Sequence, residues 1–273
     1  MTVIAMTREI GSFGNDVAAG LATSLGLNVV QSDAVANSIA KRLGVDECAV
    51  LRYVNGSASL LERWQIDRRR LFHYTAEEIL CLAQRGNVLI KGWGVATLLR
   101  DLPGVVSVRV CAPMDFRVSV LMERLGTKDA NAVREQLERY DAARGRTMRA
   151  YFNVEQEDPR LYHIVLNTQR LSIEACVRTV SELVKSARFQ DNAATLANKL
   201  VEAEISSALA EHISFAAAPL GVSVSVADGK VTLSGTTSSG SVRLKAEKIA
   251  HDIAGVRHID NRIVSVPNRG SAF

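Results

Sequence analysis

The stretch Val3-Ile4-Ala5-Met6-Thr7-Arg8-Glu9-Ile10-Gly11-Ser12-Phe13-Gly14-Asn15-Asp16-Val17-Ala18 constrains this 273-residue chain more than any other. A short apolar run breaks into a turn holding two glycines. The turn leads into residues 17–25, where apolar side chains recur at helical spacing. Strand, glycine turn and helix, in that order, set backbone N–H groups and a helix N-terminus where a phosphate can be cradled. The same order also serves as a plain entry into an α/β domain, so the stretch defines a shape before it defines a chemistry.

Laid against the phosphate-loop pattern G-x-x-x-x-G-K-[ST], the second glycine is Gly14. Glu9 stands at the first glycine, Asn15 at the lysine and Asp16 at the hydroxyl residue. The cation that would contact β- and γ-phosphates is therefore absent from its usual place, and Asp16 brings a negative charge near them.

Beyond this stretch, short apolar runs at residues 3–6, 27–30, 88–90, 105–111 and 163–166 alternate with helical patterns at 34–43, 67–84, 115–125, 129–150 and 172–187. Strands separated by helices predict a five-stranded parallel sheet covered on both faces. Ligands of such sheets bind at the carboxyl ends of the strands, where the first loop lies. A hydrophobic fraction of 47% supplies the core this needs.

The pattern changes near residue 187. Residues 188–199 read as a polar hinge or helical linker, with a helix over 193–213. Residues 222–226 then alternate with period two, Asp228-Gly229 signals a tight hairpin, and residues 230–235 return. A helix at 238–253 and a strand at 258–266 complete a small α+β unit, and residues 268–273 form a tail.

Composition limits the functional classes. A net charge of +4 is too small to argue for nucleic acid, and the Arg68-Arg69-Arg70 run has few aromatics interleaved, so no specific nucleic-acid binding is expected. No window holds 18 uninterrupted apolar residues. Cys48, Cys81, Cys111 and Cys176 lack metal-type spacing and lie in apolar contexts, which predicts four buried thiols and a cytoplasmic protein. No protein-held metal is predicted. His73, His163, His212, His251 and His258 share no ligand spacing, so each reads as structural or exposed.

The run from Asp141 to Arg149 is dense in arginine, a side chain suited to phosphate oxygens. On a continuous helix, positions 139, 146 and 149 share a face and 144 is offset. A solvated helix face with pairs such as Glu135–Arg139 is the competing reading. Asp33, just after the second strand, reads either as a contact to substrate hydroxyls or as a helix N-cap. Gly92-Trp93-Gly94 reads as a tight loop at the site or as a packed Trp93.

Three segments resemble the cytidylate kinase-like family over residues 1–187. They are Thr7-Arg8-Glu9-Ile10-Gly11-Ser12-Phe13-Gly14, Asp141-x-x-Arg144-x-Arg146-x-x-Arg149, and Leu166-Asn167-Thr168-x-x-Leu171-Ser172-Ile173-Glu174. Residues 200–267 resemble a BON domain through Val226-x-Asp228-Gly229-x-Val231-x-Leu233-x-Gly235 and Ile253-x-Gly255-Val256-x-x-Ile259-x-Asn261-x-Ile263.

The resemblance implies an α/β P-loop kinase-type sheet followed by a small α+β BON-type domain. It implies transfer of the ATP γ-phosphate, with Mg2+, to a CMP- or dCMP-type acceptor. Arg8, Gly11, Ser12, Phe13, Gly14, Asn15 and Asp16 would hold ATP, and Asp33 and Lys91 the acceptor. Arg144, Arg146 and Arg149 would be lid arginines oriented by Asp141. The BON domain implies a partner protein, small ligand or phospholipid surface. The departures at Asn15 and Asp16 support an alternative, a catalytically degenerate nucleotide sensor, and Arg8 and Lys91 are the cations available to compensate. Asn15→Lys is expected to tighten ATP binding, with only a small gain if a substitute cation such as Arg8 already serves the loop.

Overall fold

The computed structural model describes residues 2–92, 94–186, 189, 193–214, 221–237 and 239–266. In chain order the elements are β1 (Val3–Arg8), α1 (Gly14–Leu25), β2 (Asn28–Gln31), α2 (Ala36–Leu43), α3 (Glu47–Val54), α4 (Leu60–Gln65) and α5 (Arg68–Gln84). They continue with β3 (Val88–Lys91), α6 (Val95–Leu99), β4 (Val105–Cys111), α7 (Met114–Leu125), α8 (Ala130–Phe152), β5 (Ile164–Asn167) and α9 (Ile173–Lys185). The last five are α10 (Ala193–His212), β6 (Val222–Ala227), β7 (Lys230–Thr237), α11 (Gly240–His251) and β8 (His258–Ser265).

The chain divides into two compact units, residues 1–66 with 85–192, and residues 67–84 with 193–273. The break between 192 and 193 falls inside the stretch 188–199 read as a hinge or helical linker. Helix α5, expected within the first domain, packs in the second unit. Residues 188 and 190–192 of the expected hinge lie outside the described residues, and 193–199 are the first turns of α10. The expected tail at 268–273 also lies outside them.

The first unit is built on a five-stranded sheet of order β2-β3-β1-β4-β5 in which every pairing is parallel. β1 is the central strand. Ile4 and Met6 face one side of it, in a core that also holds Val17 and Leu21 of α1 and Cys176 and Val180 of α9. Val3 and Ala5 point the other way and are equally buried, so both faces of the sheet are covered. That double burial is why β1 reads as an unbroken apolar run rather than as an alternation.

In the second unit β6 and β7 pair antiparallel and β8 joins β7 in parallel. Asp228 and Gly229 both have positive φ, 48° and 76°, as a primed hairpin turn requires. Val224, Val231, Leu233 and Ile263 of the sheet meet Ile205 and Leu209 of α10 and Ala246 and Ala250 of α11 in one core. Helix α5 fastens to the end of α10. The Arg70 guanidinium donates to the carbonyls of Ala210 (3.1 Å) and Glu211 (3.0 Å), two last-turn acceptors that have no further turn to bond.

The cysteines depart from expectation. Only Cys176 is buried, while Cys81 and Cys111 are intermediate and Cys48 is exposed. All four are free thiols. Cys48 lies in the first turn of α3, a helix that alternation of long apolar runs did not reveal. No described helix is long and apolar enough to cross a membrane.

Candidate active site

The loop after β1 turns on two residues in the left-handed region, Gly11 (φ 80°) and Phe13 (φ 52°). A Cβ on Gly11 would meet the Arg117 carbonyl at 2.8 Å, and one on Gly14 would meet Arg8 Cβ at 2.6 Å, so both positions are sterically reserved for glycine. Among the described residues the amides of Gly11, Phe13 and Gly14 find no backbone or side-chain acceptor. They are available to an anion at the start of α1.

The loop is held by its own polar side chains. Ser12 is fully buried and its hydroxyl donates to the Glu9 carbonyl at 2.8 Å, while Thr168 Oγ1 donates to the Ser12 carbonyl at 2.9 Å. Ser12 therefore shapes the loop from beneath. Glu9, which replaces the first glycine of the pattern, accepts from Arg109 Nη2 (2.6 Å) and from the Ala112 amide (3.1 Å). Arg117 lies 3.6 Å from the same carboxylate, donates through Nε to the Ile10 carbonyl (2.7 Å) and forks onto both oxygens of Asp141. Arg109 and Arg117 are each only 3% exposed, so this chain of charges is buried and mutually compensated.

Sequence reasoning missed these two arginines. Their signal was present: Arg109 is a charge in the middle of an apolar strand, where an unpaired charge is costly. Asp141 departs from its expected role, since its carboxylate holds Arg117 rather than a lid arginine.

The loop's altered residues both have partners. Lys91 Nζ donates to Asn15 Oδ1 at 3.0 Å. Arg124 Nη2 lies 3.1 Å from Asp16 Oδ2 and its guanidinium stacks on Phe13, 5.5 Å from the ring centroid. The negative charge that Asp16 brings is thus offset by a cation from α7.

Of the three lid arginines, Arg144 lines a small cavity with Arg8, Glu9, Arg109, Tyr140 and Asp141. Arg146 and Arg149 are exposed, and Arg149 pairs with Glu155 at 2.7 Å. They face away because α8 is one unbroken helix, on which residues 144 and 146 point in nearly opposite directions. Neither Arg8 nor Arg144 has an ion pair among the described residues; Arg144 instead lies over the Tyr140 ring at 5.7 Å. Burial pushes the Arg8 guanidinium down from its usual range, and the positive charge of Arg144 pushes it further. Arg109 Nη1, also buried, has no hydrogen-bond partner among the described residues.

Asp33 is exposed, in a 3-10 turn begun by Gln31, so it is not the helix cap, and its charge acts on Arg8. Gly92 (φ 141°) leaves room for Ser32, and Gly94 (φ 66°) for the Phe152 ring at the end of α8. Trp93 lies outside the described residues.

A parallel sheet of order 2-3-1-4-5, with a glycine loop between the central strand and a helix and cations around it, defines a P-loop kinase-type protein. Residues 3–170 match the cytidylate kinase-like family, and residues 199–267 match the BON domain. The chain belongs to the cytidylate kinase-like family.

Relatives include a cytidylate kinase of Ignicoccus hospitalis, 31% identical over 189 residues, which span 67% of this chain and 99% of that protein. A cytidylate kinase of Pyrobaculum aerophilum is 26% identical over 181 residues, 65% of this chain and 90% of that one. Among solved structures, an uncharacterized protein from Eubacterium ventriosum superposes with a TM-score of 0.50 at 19% identity, covering 68% of this chain and 99% of that one, a likeness of fold.

Proposed function

We propose that this protein is a phosphotransferase that moves the γ-phosphoryl group of ATP to a pyrimidine nucleoside monophosphate of the CMP or dCMP type. The observation that carries the reading is Arg8 and Arg144 lining one cavity beside the loop, two cations that form no ion pair among the described residues. Like charges held together without paired counter-ions favour an anion between them. Loop amides would cradle the ATP phosphates, and an oxygen of the acceptor's phosphate would attack the γ-phosphorus as its bond to the β-phosphate oxygen breaks, releasing ADP. Arg8 and Arg144 would spread the charge that builds on the transferred group.

Mg2+ fits as an ion carried in on the nucleotide. The described residues hold no group of three metal-ligating side chains, and Asp16 is the exposed carboxylate at the loop. Magnesium commonly takes one or two carboxylates plus substrate phosphates. It would neutralise charge between the β- and γ-phosphates.

Asn15 supports a second reading, a nucleotide sensor without turnover. In either case the BON domain is the element proposed to bind a partner protein, small ligand or phospholipid surface. The test is an assay of the purified chain with ATP, Mg2+ and each nucleoside monophosphate, alongside calorimetric titration of nucleotide. Turnover with CMP or dCMP supports the transferase and binding without turnover the sensor. Absence of both overturns the two readings together.

A further inference from the structure

We propose that Lys91, at the carboxyl end of β3, is the phosphate-loop cation of this protein, delivered across the sheet to the position that Asn15 leaves without charge. The inference rests on the nucleotide-binding reading of the loop, and it names the residue that replaces the missing ammonium there.

The placement follows from strand register. Lys91 pairs with Met6 across the parallel β1–β3 ladder, and the next amide, Gly92 N–H, donates to the Met6 carbonyl at 3.0 Å. β3 therefore ends opposite Met6, short of the end of β1 at Arg8, and the long Lys91 side chain spans the remaining distance to the loop. Its Nζ donates to Asn15 Oδ1 at 3.0 Å, on the first turn of α1. An ammonium carries three donors, and Asn15 is its one hydrogen-bond acceptor among the described residues.

Electrostatics says why this arrangement expects an anion. The start of a helix carries partial positive charge and disfavours a cation. Partial burial pushes the Lys91 ammonium below its usual range, and the positive charge of Arg8 pushes it further. Asp16, the nearest carboxylate in sequence to Asn15, is engaged by Arg124. A cation drawn into a positive site, fixed by a neutral amide and left with spare donors, is balanced when phosphate oxygens enter. Asn15 then serves as the hydrogen-bonding post that aims Lys91, and lysine cannot replace it without setting two ammoniums side by side.

The experiment is calorimetric titration of ATP–Mg2+ into the full chain as wild type, Lys91→Asn, Lys91→Met, Asn15→Lys and the exchange variant Asn15→Lys with Lys91→Asn, with thermal melting of each. Lys91→Met keeps the apolar stem if the shorter asparagine disturbs packing. Loss of a charge-assisted contact is expected to weaken binding about tenfold or more in Lys91→Asn and Lys91→Met. The exchange variant, which keeps one ammonium and one amide in reversed places, is expected to regain most of that loss. Asn15→Lys alone is expected to gain nothing.

If wild type binds ATP and both Lys91 variants bind it equally, the inference is overturned while the nucleotide reading stands. An exchange variant no tighter than Lys91→Asn overturns it as well, since the cation would then act somewhere other than the loop. If wild type binds no nucleotide, the functional reading itself fails.

Discussion

Arg117 and Asp141 form a forked ion pair, Nη1 to Oδ2 at 2.8 Å and Nη2 to Oδ1 at 3.1 Å. The pair joins α7 to α8, and the same guanidinium holds the Ile10 carbonyl at 2.7 Å. One buried arginine thus ties the helix that carries Arg144 to the loop at the candidate site. Asp141→Asn is expected to leave Arg117 partly uncompensated. Because Asp141 keeps 33% of its side chain exposed, the loss should fall below that of a fully buried pair, at about 2 kcal/mol. The midpoint of urea unfolding measures it, and an unchanged midpoint would remove this pair from the account of how the site is held.

Arg144→Ala and Arg146→Ala should separate cleanly. Arg144 lines the cavity with Arg8, whereas Arg146 is exposed on the other side of the same helix. Arg144→Ala is expected to lower nucleotide affinity or turnover by about tenfold or more, the worth of a charge-assisted contact. Arg146→Ala should change either by less than about twofold, as expected of a surface site. Equal losses in the two variants would place the lid differently.

Gly11→Ala carries two costs. The backbone sits at φ 80°, and the new Cβ would come within 2.8 Å of the Arg117 carbonyl. A destabilisation of about 2 kcal/mol is expected from strain of this kind, with nucleotide binding lost as the loop moves. Wild-type stability together with wild-type affinity would contradict it.

His73 gives a pH dependence. Burial, helped by the positive charge of Arg69, lowers its pKa from 6.5 to about 4, against a smaller opposing pull from Asp67. The native state therefore stays neutral where the unfolded chain takes up a proton, and stability is lost as pH falls from 6.5 towards 4. The full span is worth about 3 kcal/mol. Glu204, raised by burial and by Glu77, works in the opposite sense, its contribution lost as pH rises through the raised pKa. Unfolding midpoints at pH 7 and pH 5 for wild type and His73→Gln isolate the histidine, and the variant should show the smaller acid loss.

A chain ended at residue 192 would lack α10, the helix that α5 packs against in the second unit. That piece is expected to melt lower than the full chain or to associate through the uncovered face of α5. In the full chain, Arg70→Met removes the guanidinium from the Ala210 and Glu211 carbonyls and should cost about 1 kcal/mol. A truncated piece that melts with the full chain would show that α5 does not depend on α10.

Much was legible from local pattern, because the causes are local. Alternation at residues 222–226 and the Asp228-Gly229 pair define a hairpin within a dozen residues, since twist and positive φ are properties of neighbouring backbone. The unbroken apolar run of β1 announced a strand buried on both sides. Helical geometry alone already set Arg144 apart from Arg146 and Arg149. Tertiary structure decided the rest, because it required partners far apart in the chain. An amphipathic pattern over 68–84 says that one face of α5 must be covered, but not that α10 covers it. Arg109 announced a buried charge without naming Glu9, 100 residues away. Lys91 reaches Asn15 across 76 residues of sequence only because the parallel register sets it beside Met6, just before β1 gives way to the loop, and strand register is written in no local stretch.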